Sequence, residues 1–148
     1  MATKTSAFLD TSALFAAVWS EIGGARAILA LGEARTVELL ISSQVLTEIE
    51  GALTRKAPAA LGPLTILLDA ARVRITPPPD GERLATARGL VSHAGDALVL
   101  ASALEAGPDY FVTLDRKHFV DNEPLVAAVP FGVVTPGRFL ENVRRSLV

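Results

Sequence analysis

Four short stretches of this 148-residue chain each carry a carboxylate where a buried element meets an edge. In FLDTSALF an apolar run over 6–9 ends at Asp10, and in DYFVTLD a second such run ends at Asp115. Asp96 sits in the first turn of HAGDALVLASAL, ahead of small and apolar residues. A fourth acid lies in SSQVLTEIEGAL, where Glu48 and Glu50 flank the apolar stripe on opposite sides at about 100° per residue, so helical geometry leaves both open. Singly, each has an ordinary role. Asp10 can cap the helix that follows, Asp96 suits a helix N-terminus, and Asp115 can open a turn. Together they are the chemistry of a hard divalent cation, because Mg²⁺ and Mn²⁺ take oxygen ligands and need few of them from protein.

The elements that must position these acids read as an alternating series. Strands are expected over 6–9, 36–42, 72–75, 109–115 and 131–134. Helices are expected over 12–20, from the Gly23-Gly24 break to about residue 31, and over 43–56 with Ser42 or Ser43 as its cap. Further helices are expected over 61–71 with Pro63 in the first turn, 81–91, 95–106 and 136–144. Strands alternating with helices predict an α/β/α sandwich around a central parallel sheet. In such a sheet, ligands bind beyond the carboxyl ends of the strands, where Asp10 and Asp115 fall.

Bulk properties narrow the class. The length suits one domain, 1–148, which buries roughly 70% of its unfolded-chain surface. Half of the residues are hydrophobic, yet no apolar run reaches the roughly 18 residues of a membrane span. MATKTSAFLD has one lysine and no adequate apolar core for a secretory signal, so a cytoplasmic location without membrane association is expected. The absence of cysteine excludes disulfides and thiolate metal sites. A net charge of −2 provides no global basic field for nucleic acid, leaving that task to local patches and bound cations.

Taken in order, the four stretches resemble the motifs of the PIN domain family, and the size and layout resemble its VapC-type ribonuclease toxins. The likeness covers about the whole chain. The second motif places its glutamate after V-x-x and before an apolar residue, which selects Glu48 over Glu50. The resemblance implies a Mg²⁺- or Mn²⁺-dependent endoribonuclease, the toxin of a toxin–antitoxin pair. Asp10, Glu48, Asp96 and Asp115 are then its catalytic and metal-binding residues, with Glu48 orienting or deprotonating the attacking water or serving as a ligand. It also implies an RNA substrate, a cognate antitoxin and a homodimer. The chain departs from many relatives in one respect: Arg116, Lys117 and His118 follow the fourth motif where another acid or amide is common, which bears on a second metal position.

Around these acids, Thr11, Ser12 and Thr113 are candidate donors that orient the carboxylates. Arg55, Lys56, Arg116, Lys117 and His118 are candidate phosphate contacts. Leu14, Phe15, Val18, Trp19 and Ile22 form an apolar stripe whose outer part, Trp19 included, is expected to cover an association surface. Two other acid-rich α/β folds fit the residues less well. A haloacid-dehalogenase-type phosphatase needs a second aspartate two residues after the first, where this chain has Ser12. A receiver domain needs paired acids after the first strand and a late lysine, and neither is evident. A catalytically silent PIN-like domain that binds RNA or protein remains the main alternative.

Overall fold

The computed structural model describes residues 4–147; the ends of the expected 1–148 domain, and the first residues of the stretch scanned for a signal, lie outside the described residues. The chain runs β1 (Thr5–Leu9), α1 (Thr11–Trp19), α2 (Gly24–Glu33), β2 (Val37–Ser42), α3 (Ser43–Lys56), α4 (Leu61–Ala70), β3 (Arg74–Thr76), α5 (Gly81–Arg88), α6 (Ala94–Ala106), β4 (Tyr110–Val112), α7 (Glu123–Ala128), β5 (Gly132–Val134) and α8 (Pro136–Ser146). A short 3₁₀ turn, Pro58–Ala60, joins α3 to α4, and one wide turn of π type, Arg116–Val120, follows β4.

The strands form one parallel sheet in the order β3-β2-β1-β4-β5. From β1 the chain first builds outward through β2 and β3, then returns to the other side of β1 for β4 and β5. The order therefore reverses between β1 and β4, and the crevice beyond their carboxyl ends is the ligand position of such sheets. Leu39, Leu40 and Ile41 are buried in succession, as expected of a central strand with helices on both faces. Phe8 and Phe111 face each other in register and stack at 5.7 Å. Phe119 packs on Phe111 at 4.9 Å and is fully buried, so the turn after β4 is pinned to the core by its own aromatic residue.

Differences from the expected elements are confined to boundaries and one segment. The strand expected over 109–115 is regular only over Tyr110–Val112, and Asp115 stands three residues beyond it. The strand expected at 72–75 starts at Arg74 because Arg72 adopts a left-handed conformation, φ 54°, at the end of α4. The helix expected over 81–91 stops at Arg88. No element was expected between 116 and 130, where the π-type turn and α7 form, α7 being capped by Asn122. Among the described residues, no single helix is long and apolar enough to cross a membrane.

Candidate metal centre

Asp10 follows β1 directly and caps α1, its Oδ1 accepting from the Thr11 N–H at 2.8 Å. Only 6% exposed, it takes its remaining bonds from α1 and from across the switch point. Oδ2 accepts from Thr113 Oγ1 at 2.7 Å and from Ser12 Oγ at 3.3 Å. Thr113 and Ser12 in turn accept from the Asp115 and Leu114 N–H groups, each at 3.0 Å. The hydroxyls expected to orient carboxylates thus also tie the end of β1 to the loop after β4. Burial pushes the Asp10 carboxyl up to about 6; hydrogen bonds from Thr113, Thr11 and Ser12 oppose the rise, and the negative charge of Asp96 adds to it.

Glu48 lies on the second turn of α3, half-buried. Thr11 Oγ1 donates to its Oε2 at 2.7 Å and Gln44 Nε2 to its Oε1 at 2.9 Å. The first bond couples Glu48 to the residue beside Asp10. Glu50 is exposed on another side of α3, beside α4 residues Leu64 and Leu68. Asp96 occupies the first turn of α6. Burial raises its carboxyl, and so do the charges of Asp115 and Glu48, while His118 and His93 act in the opposite direction. Asp115 caps the π-type turn through the His118 N–H at 3.0 Å and contacts the His118 ring nitrogen Nδ1 at 2.8 Å.

Asp96 is close enough to the other three acids to sense their charges. The four do not form the tightest donor set. Among the described residues, the group whose ligand atoms all lie within 4.8 Å of one another is His93, Asp96 and His118. His93, the residue preceding α6, was not singled out from the sequence; its one signal there was its position three residues before Asp96. Two carboxyls pushed upward by burial first and by neighbouring carboxylate charge second fit a divalent cation, which would favour their ionised forms.

A family model described as PIN domain matches residues 7–122, and with them all four acids. The chain belongs to the PIN domain family. Solved structures of similar fold include VapBC2 from Rickettsia felis bound to a DNA fragment from its promoter, with a TM-score of 0.65 at 17% identity over 88% of this chain and 98% of that one. PAE2754 from Pyrobaculum aerophilum gives 0.64 at 22% identity, over 95% and 90%. VapC20 from Mycobacterium tuberculosis, a toxin that cleaves the sarcin–ricin loop, gives 0.55 at 21% identity, over 76% and 92%. No curated protein matches the chain by sequence.

Of the basic residues expected near the site of this PIN domain, Arg116 pairs with Asp121 at 3.5 Å. The Lys56 ammonium lies 5.8 Å from the Phe15 ring centroid. Arg55 and Lys117 are exposed. Within the apolar stripe, Leu14 and Val18 join the core, whereas Trp19 and Ile22 remain 61% and 84% exposed.

Proposed function

We propose that this PIN domain is a Mg²⁺- or Mn²⁺-dependent endoribonuclease and the toxin of a toxin–antitoxin pair. The observation that carries the reading is the buried, upshifted Asp10 at the sheet's switch point, with Asp96, Asp115 and Glu48 around it. Asp10, Asp96 and Asp115 would hold the cation, directly or through water, and Glu48 would act as ligand or base. When bound, such an ion supplies an acidified water and neutralises charge developing on the phosphate.

The remaining contributions come from the chain. Thr113, Ser12 and the Thr11 N–H fix both oxygens of Asp10, so the carboxylate is oriented before substrate arrives. The Thr11 hydroxyl and Gln44 amide hold Glu48 through one oxygen each. That leaves lone pairs with which Glu48 can orient the attacking water and accept its proton. Arg55 and Lys117 are exposed cations available to flanking phosphates.

Structures of similar fold that contain VapBC complexes on promoter DNA support the toxin–antitoxin assignment, and the exposed Trp19 and Ile22 suit an association surface for a homodimer or antitoxin. Incubating the protein with a panel of single-stranded RNAs and Mn²⁺ tests the activity. Cleavage that disappears on chelation and in Asp10→Asn is expected. Intact RNA across the panel, with the wild-type protein folded and metal-loaded, would instead favour the silent binding domain.

A further inference from the structure

The two histidines of the chain stand side by side although 25 positions separate them. Their rings meet edge to face at 5.0 Å between centroids. His93 Nδ1 lies 3.5 Å from Asp96 Oδ2, and His118 Nδ1 lies 2.8 Å from Asp115 Oδ2. The segments that carry them are tied together. Asn122 Nδ2 donates both to Leu90 O, ahead of His93, at 3.1 Å, and to His118 O at 3.0 Å. Buried Phe119 anchors the His118 turn from below.

We propose that His93, Asp96 and His118 form a transition-metal site of two nitrogens and one oxygen, taking Zn²⁺. It adjoins the carboxylate centre and shares Asp96 with it. The proposal rests on the donor set and not on RNA cleavage. Imidazole suits Zn²⁺ and its neighbours in the first transition row, whereas Mg²⁺ prefers oxygen. Two histidines with one carboxylate leave a fourth tetrahedral position for water or a phosphate oxygen, the open arrangement of reactive rather than structural zinc.

The distances allow it. Tetrahedral donors about 2.0–2.1 Å from Zn²⁺ stand roughly 3.3 Å apart. The donor atoms here lie within 4.8 Å of one another, and the His93 side chain, 66% exposed, is able to rotate to close the difference. The contact to Asp115 adds the carboxylate partner that metal-bound imidazoles commonly have: a proton held on Nδ1 leaves Nε2 as the nitrogen with a lone pair. Asp115 and Glu48 supply further negative charge around the position, while the neighbouring Arg116 is turned to Asp121. In a chain with Arg116, Lys117 and His118 after the fourth motif, a second ion beside the carboxylates would thus be held largely by nitrogen.

Co²⁺ is the probe, because nitrogen-ligated tetrahedral Co²⁺ absorbs visibly and Zn²⁺ displaces it. Wild-type apoprotein titrated with Co²⁺ should develop visible bands that saturate, survive excess Mg²⁺ and vanish on addition of Zn²⁺. His93→Ala and His118→Gln should each lose the bands, and Asp10→Asn should keep them. The glutamine retains a donor for Asp115, and His93 is exposed, so far-UV circular dichroism should match wild type in both; should His118→Gln misfold, His93→Ala alone decides. Bands that persist in the double histidine variant, or that Mg²⁺ removes, overturn the site. Bands lost in Asp10→Asn but kept in the histidine variants would place the ion on the carboxylates alone.

Discussion

At Asp10 two demands oppose each other. The carboxylate caps α1 and accepts hydroxyl bonds, which favours its ionised form, yet burial disfavours that form more strongly. The native state therefore binds a proton at this position up to about pH 6, where the unfolded chain releases it near 3.8. This contribution to stability is complete below the lower value and is lost as pH rises through the upper one. Asp10→Asn, which keeps the shape without the charge, should show no such loss. In EDTA the variant should gain on wild type as pH rises from about 4 to 7, by at most roughly 3 kcal/mol. Thermal melts at several pH values measure the difference. A variant that melts lower than wild type at pH 7 would mean that the ionised carboxylate holds the fold through its bonds. Glu48 illustrates how far a single residue is legible. Its helical position left Glu50 equally eligible, the family motif chose Glu48, and the Thr11 bond now distinguishes the two physically.

Among the elements, α2 and β2 are forced into close approach. A Cβ on Gly32 would lie 2.6 Å from Leu39 Cδ1 and 2.9 Å from the Ala71 carbonyl oxygen. A leucine methyl can turn aside, but the backbone oxygen at the end of α4 cannot. Gly32→Ala should therefore destabilise by about 1–3 kcal/mol despite alanine's better helix propensity, with a lower urea midpoint at unchanged m-value. A midpoint at or above that of wild type would show that α2 and α4 separate easily. The elements around the site were legible to different degrees. Strands β1 and β2 are apolar runs with long pairings and were read almost to the residue. The fourth strand was read too long, because Thr113 still donates its N–H to Val134 O and continues the extended pattern while its side chain turns to Asp10. The turn at 116–120 has no periodic signature: it is held by Phe119 in the core, by the Asp115 cap and by the bond from the Asn122 amide to His118 O.

For the whole molecule, exposed apolar surface at the end of α1 is the feature that a monomer does not use. Trp19 stacks on Phe15 at 5.7 Å, and Lys56 sits near the same Phe15 ring. With Trp19 and Ile22 largely in water, the proposed homodimer has a surface suited to it. Trp19→Glu should shift the sedimentation mass from dimer to monomer. Intrachain stability should change by no more than about 0.5 kcal/mol, as for a surface position. A wild-type chain already monomeric at high concentration removes this surface as a self-association site.

The sequence by itself determined the parallel α/β architecture and the placing of acids at element edges, because burial on both sheet faces and helix periodicity are local patterns written in residue type. Ordered motifs added the family. What only the tertiary structure decided depends on contacts between distant segments. The strand order 3-2-1-4-5 brings residues 10 and 113 together across the switch point, where Asp10 is buried. The same folding sets His93 against His118. Both histidines lie in or beside motif segments, but nothing in the sequence pairs them, since their meeting is made by a buried phenylalanine and one asparagine bridging two loops.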